Sequence, residues 1–407
     1  MQTNLIDKFK NTSEGQEAED ILRSCVHCGF CTATCPTYQL LGDELDGPRG
    51  RIYLMKQVLE GQEVTRKTQQ HLDRCLTCRS CETTCPSGVQ YGRLVDIGRH
   101  IVEKQVGRTI GETILRKSLR TTLPNPKIFS SLLKVGRVFK PFLSNDLKNK
   151  IPAKQVDSPW PTTIHTRKML VLDGCVQPIT APNTNAATAR VLDKLGIQLM
   201  RASKAGCCGA VSHHLSAQEE GLDFMRRNID SWWPYVEQGV EAIIATASGC
   251  GVVIKDYAAL LAHDTDYAEK AKKISCLSKD LSEILQEEDL DALSSMGSST
   301  SGKKTKVAFH SPCTLQHGQK ITGVVENILI SAGYELTNIV DPHLCCGSAG
   351  TYSILQSELS QQLLSNKLDS LQVESPEIIA TANIGCQMHM ETKAQIPVKH
   401  WIELLDR

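Results

Sequence analysis

From residue 166 onward, short apolar runs alternate with amphipathic stretches. Lys168-Met-Leu-Val-Leu-Asp-Gly is strand-like and leads to Cys175, and residues 183–195 carry apolar side chains at helical spacing until Gly196 stops them. The pattern then recurs. Lys306-Val-Ala-Phe-His-Ser-Pro leads to Cys313, Cys207-Cys208-Gly209 returns as Cys345-Cys346-Gly347, and EAIIATASGC, ending at Cys250, returns as PEIIATANIGC, ending at Cys386. The offset is 138 residues for the first three pairs and 136 for the last. Each half closes on a short apolar run and a helix, at 274–285 and 396–405. Such alternation predicts two α/β units with mostly parallel sheets, 166–293 and 306–407. The serine- and glycine-rich stretch between them, 294–305, reads as a flexible linker. Open parallel sheets bind ligands beyond the carboxyl ends of their strands. Cys175, Cys250, Cys313 and Cys386 each follow a predicted strand, so the cysteines of each half should gather at one sheet edge.

The first hundred residues repeat differently. Cys25, Cys28, Cys31 and Cys35, followed by Pro36, are matched fifty residues later by Cys75, Cys78, Cys81 and Cys85, followed by Pro86. C-x2-C-x2-C-x3-C-P is the spacing by which bacterial ferredoxins hold 4Fe-4S cubanes. Three close thiolates reach three irons of one cubane, and the fourth, displaced before the proline, reaches the other. One cluster is therefore assigned to Cys25, Cys28, Cys31 and Cys85, and the other to Cys35, Cys75, Cys78 and Cys81. Zinc is the competing reading, but zinc favours well-separated C-x2-C pairs and has no need of a fourth cysteine before proline. The insert between the motifs carries Asp46-Gly-Pro-Arg-Gly-Arg-Ile52 and a helical run to Leu59, so an all-helical ferredoxin domain is expected over 1–100. Arg49 and Arg51 stand there either to offset cluster charge or grip a partner, or as local structural residues, and the structural role is favoured.

Composition narrows the setting. The chain has 407 residues, 41% hydrophobic and 22% charged, with no net charge, which gives no electrostatic pointer to nucleic acid. Seventeen cysteines, an N-terminus lacking an apolar signal region and no apolar run near bilayer length point to a reducing cytoplasm and to cysteines acting as ligands. Sixteen fall in the four groups above. Cys276 is left alone, in a run read as strand-like. Residues 101–165 form a basic connector, with 12 basic against 3 acidic residues between Ile101 and Gln155. Within it Ile128, Leu132, Val135, Phe139 and Phe142 share a helical face, with Lys134, Arg137 and Lys140 among them. Two readings stand: a peripheral contact with an anionic membrane, or packing on the protein itself or a partner.

In the C-terminal halves, Cys175, Cys207, Cys208 and Cys250, and Cys313, Cys345, Cys346 and Cys386, are candidate ligands of an additional iron-sulfur cluster or redox thiols. The alternative is cysteine packing in a tight loop. His213, His214, His310, His317, His343 and His389 lie near them in sequence, and none is singled out as a ligand. No well-placed G-x-G-x-x-G, P-loop or hydrolytic triad is recognisable, so any flavin belongs on another polypeptide.

The stretches CVHCGFCTATCPTYQLLGDELDGPRGRIYLMKQVLEG and CLTCRSCETTCPSG, with the two Cys-Cys-Gly halves, closely resemble the iron-sulfur subunits of bacterial glycolate oxidase (glycolate dehydrogenase). The motifs alone fit a wider group, which includes iron-sulfur subunits of anaerobic glycerol-3-phosphate dehydrogenase and of lactate-utilisation enzymes. The resemblance implies an α+β multidomain chain, an α-helical ferredoxin domain followed by two cysteine-rich CCG units. It also implies an electron-transfer role between two FAD-domain partner subunits, one of which oxidises glycolate to glyoxylate and also D-lactate, and a respiratory acceptor such as quinone at the inner membrane. A self-contained heterodisulfide-type reductase is the rival function. That family ends each half with C-x-x-C, whereas here Cys250 is followed by Val253 and Cys386 by His389, which puts a five-thiolate cluster in doubt.

Overall fold

The computed structural model describes residues 1–142, 148, 151–155, 158–290 and 304–406. The expected linker at 294–305 lies outside these, apart from its last two residues. Among the described residues up to 142 every regular element is helical, as the long insert between the cysteine motifs suggests. Helices Ser13–Ser24, Pro48–Leu59, Arg66–Asp73 and Tyr91–Val106 pack around Leu22, Met55, Leu72, Leu94 and Val95. Pro36 and Pro48 each open a helix at the first turn, where the missing N–H costs nothing.

Two four-stranded sheets follow, both entirely parallel. The first has β1 (Arg167–Val171), β2 (Ile197–Arg201), β3 (Ile243–Ala245) and β4 (Ser278–Asp280) in the order β2-β1-β3-β4. The second has β5 (Lys306–His310), β6 (Glu335–Leu336), β7 (Ile378–Thr381) and β8 (Val398–His400) in the order β6-β5-β7-β8. The identical order and the matched pairs Leu170–Ile243 and Ala308–Ile379 establish the internal repeat in three dimensions. Alternation along each strand divides its side chains between two cores. Met169, Val171, Val307 and Phe309 join one core common to both units, with Trp401 and Leu192, while Leu170 and Ala308 face separate cores of their own units. Backbone and side-chain bonds lock the seam: Ser248 N donates to Ala382 O at 3.0 Å, and His400 Nε2 lies 2.8 Å from Thr246 O.

Two expectations change. Cys276 lies exposed in the helix Ala268–Leu277 and not in a strand, because only Ala271 and Ile274 of that run point inward, at helical spacing. The run 274–285 is accordingly the end of one helix, the strand β4, and the short helix Leu281–Leu285. The amphipathic helix is present as Pro126–Phe139, and none of its residues is buried.

The ferredoxin domain leans on both α/β units. Toward the first, Arg79 pairs with Asp256 at 3.2 Å, and Asp96 meets His214 at 3.2 Å and His213 at 3.8 Å. Toward the second, Thr83 Oγ1 lies 3.0 Å from His317 Nδ1, and Tyr352 donates its hydroxyl to Arg74 O at 3.1 Å. Burial pushes His213 down to about 4, against the pull of Asp96 and with the help of His214, Arg93 and His100. Below about pH 6.5 the unfolded chain therefore takes up a proton that folded His213 refuses until much lower pH, so stability falls as the solution is acidified through that window. Denaturation midpoints at about pH 7.5 and about pH 5 should differ less in His213→Gln than in the wild type. An unchanged difference would remove His213 as the source.

Candidate metal centres

The two cysteine motifs of the helical domain fold onto themselves in matching ways. His27 and Thr77 have φ of 60° and 53°, and Gly29 and Arg79 have φ of 86° and 62°. These left-handed residues, fifty apart in each pair, turn every C-x2-C step so that successive thiols face inward. Arg79 and β-branched Thr77 adopt such angles only against strain, which the surrounding packing must hold.

Cys25, Cys28, Cys31 and Cys85 line one small cavity. Cys35, Cys75, Cys78 and Cys81 line another, and Cys81 also reaches the wall of the first. The crossed grouping expected from spacing is thus the grouping the fold brings together. Burial pushes Cys31 up to about 11, with Cys25, Cys28 and Cys85 adding repulsion. A pocket of crowded thiols, with Arg49 in the wall of the first and Arg51 and Arg79 in the wall of the second, suits a multivalent iron cluster, which would deprotonate all four. The cavities differ in exposure. Cys28 is exposed beside Val26 and Phe30, whereas Cys75 and Cys81 are buried.

Beneath the second set lies a buried ionic network. Arg51 is 1% exposed and Asp46 0%. Arg51 donates to His71 O at 2.7 Å, Thr37 Oγ1 at 3.2 Å and Asp46 Oδ1 at 3.4 Å, and Asp46 also receives Arg74 at 2.7 Å. Thr37 Oγ1 lies 3.3 Å from Cys35 Sγ. Burial alone would favour the neutral guanidine, but Tyr91, Cys75, Cys35 and Asp46 hold Arg51 firmly protonated. The same charge acts in return: burial opposes a Cys75 thiolate, yet Arg51 and Arg99 bring Cys75 below the ordinary thiol value. Arg51 is therefore structural and a cluster-side cation at once. Arg49 is an outer residue, paired with Glu44 at 2.6 Å and lying against Gly29. Arg99, which the sequence did not single out, grips the ligand loop through Leu72 O, Cys75 O and Thr77 Oγ1. No motif marks it; only its position on the helix facing the loop does.

In the α/β units the cysteines also converge at the carboxyl ends of the strands. Thiol contacts run Cys175–Cys207–Cys208–Cys250 in the first and Cys313–Cys345–Cys346–Cys386 in the second. Each glycine of Cys-Cys-Gly is left-handed, with φ of 93° at Gly209 and 85° at Gly347, and a Cβ on either would sit 2.6 Å from a carbonyl oxygen, of Gly221 and Ser360 respectively. Only glycine lets the paired thiols approach the following helix this closely. The second unit touches the helical domain through its thiols: Cys313 and Cys345 share a cluster of buried residues with Leu76, Tyr352 and, at its edge, Cys78. Of the six histidines, His213, His214 and His317 serve the interface. His389 Nε2 lies 3.1 Å from Ser360 Oγ, the His343 carbonyl accepts from His317, and His310 lies among the second unit's thiols.

Comparison with known proteins agrees with this organisation. The 4Fe-4S dicluster domain family matches residues 21–89, and the cysteine-rich CCG domain family matches 169–255 and 307–391. The chain is 56% identical to the glycolate oxidase iron-sulfur subunit of Escherichia coli K12 over 100% of its own length and 99% of the relative's. It belongs to that iron-sulfur subunit family. Within the family, the probable glycolate oxidase iron-sulfur subunit of Bacillus subtilis 168 is 28% identical over 94% of this chain and 91% of its own. Lactate utilization protein A of the same organism is 24% identical and corresponds to 57% of this chain and 96% of itself.

Arg51→Met should leave buried Asp46 short of its innermost partner. Breaking one side of a buried pair costs about 3–5 kcal/mol. Anaerobic urea denaturation should register that loss, with the second cluster bleaching before the first. Equal stability and simultaneous bleaching would mean that Arg51 does not anchor this site.

Proposed function

We propose that this chain is the electron-transfer subunit of a flavin-dependent glycolate dehydrogenase complex that also accepts D-lactate. The observation that carries the reading is the convergence of eight cysteines into two crossed four-thiol pockets, in a chain 56% identical along its whole length to a glycolate oxidase iron-sulfur subunit. Cys25, Cys28, Cys31 and Cys85 would hold one 4Fe-4S cluster, and Cys35, Cys75, Cys78 and Cys81 the other. The clusters supply one-electron storage at low reorganisation cost; the chain's own groups set their charge, exposure and spacing. Substrate oxidation belongs to two partner subunits that carry FAD, and quinone is the proposed acceptor. The eight C-terminal cysteines are proposed as further metal or redox positions, in units bounded at 166–293 and 306–407, with the helical domain at 1–100 and the connector at 101–165.

The same reading sets the connector against an anionic inner-membrane surface. Ile128, Leu132, Val135, Phe139 and Phe142 are 38–85% exposed, and basic side chains stand between them. None of the described helices is long and apolar enough to cross a membrane, so the contact would be peripheral.

Cysteine-to-serine variants test the crossed assignment. In EPR of the anaerobically reduced protein, Cys85→Ser should lose the signal that Cys28→Ser loses, and Cys35→Ser the signal that Cys78→Ser loses. Pairing of Cys85 with Cys78 would overturn it. The isolated chain should not oxidise glycolate, and co-expressed flavoprotein subunits should restore glycolate-dependent reduction of its clusters. Turnover by this chain alone would sink the proposal.

A further inference from the structure

The two cysteine-rich units share a topology but not a donor set. Along β1 and β5 the repeat aligns Met169 with Val307, Leu170 with Ala308, Val171 with Phe309, and Leu172 with His310. In the first unit that last position is apolar. Leu172, 3% exposed, packs in the core that contains Cys208, Met225 and Trp232. In the second unit an imidazole occupies it, 2% exposed, beside Cys346 and Cys386, which belong to that unit's own core. Neither ring nitrogen of His310 has a hydrogen-bond partner among the described residues. Burying ring nitrogens without hydrogen-bond partners is destabilising, and the other unit places an apolar residue at this position. A buried histidine kept without a protein partner needs another use for its lone pair.

Its neighbours supply one. His310, Cys346 and Cys386 each offer a donor atom, and the three atoms lie within 4.8 Å of one another, all buried. Cys345 stands next to Cys346 in sequence and contacts Cys313 Sγ at 3.8 Å. Asn383 Nδ2 donates to Cys386 Sγ at 3.4 Å, and Gly347 N to Cys345 Sγ at 3.4 Å, bonds that suit thiolate acceptors. Lys367, 3% exposed, donates to Asp341 O at 3.1 Å; burial works against its charge, and the Cys346 and Cys345 thiols favour it.

Resting on the function proposed above, we infer that the second cysteine-rich unit, and not the first, holds an iron-sulfur centre ligated by the His310 imidazole together with thiolates of the Cys313, Cys345, Cys346 and Cys386 set. Iron is favoured over zinc because the site adjoins the second ferredoxin-type pocket: Cys313 and Cys345 pack into one cluster with Leu76 and Cys78. A redox centre there extends the chain of clusters inward, and a zinc ion would end it. A neutral nitrogen ligand also lowers the negative charge of an iron-sulfur centre and makes it easier to reduce than an all-thiolate one. The site would then be the more oxidising neighbour of the second cubane. His389, where the heterodisulfide reductase pattern has its fifth cysteine, lies beside Ser360 instead.

The test uses the full chain purified anaerobically, grown once with ordinary and once with 15N-imidazole histidine. Iron, sulfide and zinc are measured, and pulsed EPR of the reduced protein reads nitrogen coupling. About twelve irons are expected, four beyond the two cubanes, with one signal strongly coupled to a histidine nitrogen. His310→Leu, which copies the first unit's own residue, should abolish that coupling while the two cubane signals persist. Cys346→Ser should remove the third signal, and Cys208→Ser should leave it. A count of about eight irons overturns the inference but leaves the electron-transfer reading intact. So would a third signal without nitrogen coupling, a coupling that survives His310→Leu, or zinc in place of the extra iron. Fewer than eight irons with the cubane signals missing would strike at the underlying function instead.

Discussion

A positive charge buried next to sulfur is the constraint on which the helical domain depends. A cubane with four thiolates is an anionic object, and a small helical domain has little polar surface to spare for solvating it. Arg51 answers this from below the second pocket, but a buried guanidinium is itself costly unless it is paired and hydrogen-bonded. Asp46, Thr37 and the His71 carbonyl each accept one hydrogen bond, so that all three of its nitrogens are engaged, and His71 and Arg74 then complete Asp46. The chain of obligations fixes where the helices Pro48–Leu59 and Arg66–Asp73 meet, and so where Cys35 and Cys75 stand. Arg99 repeats the arrangement from the other side of the same loop. The first pocket has no comparable buried cation in its wall, and it opens to the surface at Cys28, where solvent takes over the task.

That difference orders the two pockets. A cluster near the surface, rimmed by exposed Val26 and Phe30, is suited to exchange electrons with another polypeptide. A cluster enclosed between Arg51 and the second cysteine-rich unit is suited to pass them inward. The helical domain bridges both α/β units, and it packs Cys78 and Leu76 against Cys313 and Cys345 of the second. Toward the first unit it offers ion pairs, Arg79 with Asp256 and Asp96 with the two histidines. One interface carries charge and the other carries sulfur.

Much of this was legible in the sequence, for identifiable reasons. Ligand spacing is a local property, so C-x2-C-x2-C-x3-C-P is readable without the fold; in the structure Cys25, Cys28, Cys31 and Cys85 line one cavity and Cys35, Cys75, Cys78 and Cys81 the other, with Cys81 on both walls. The parallel sheets and their repeat were legible because strands buried on both faces read as continuous apolar runs. Cys276 is ambiguous in sequence because the short run Ile274-Ser-Cys-Leu277 does not carry enough length to separate the two periods. What stayed hidden is what depends on long-range packing. Arg51 was visible as an arginine in an insert but not as a fully buried one. Arg99 and the left-handed conformations of Thr77 and Arg79 leave no local trace. His310 was one of six histidines near cysteines, and nothing near it in the chain distinguishes it.

The repeat itself could have distinguished it. Two copies of one fold in one chain act as controls for each other, since a position that only needs to fill space will tolerate similar side chains in both. Ile243 and Ile379 are such a pair, as are Cys208 and Cys346 in a different sense. Leu172 and His310 are not. Leucine and histidine are of comparable size, but their cost of burial differs by the desolvation of two ring nitrogens, and the histidine recovers none of it from hydrogen-bond partners among the described residues. The unit that bears this cost is also the one whose thiols adjoin the second ferredoxin-type pocket. Within a duplicated scaffold, the departure from symmetry and the contact with the second ferredoxin-type pocket therefore point to the same half of the molecule.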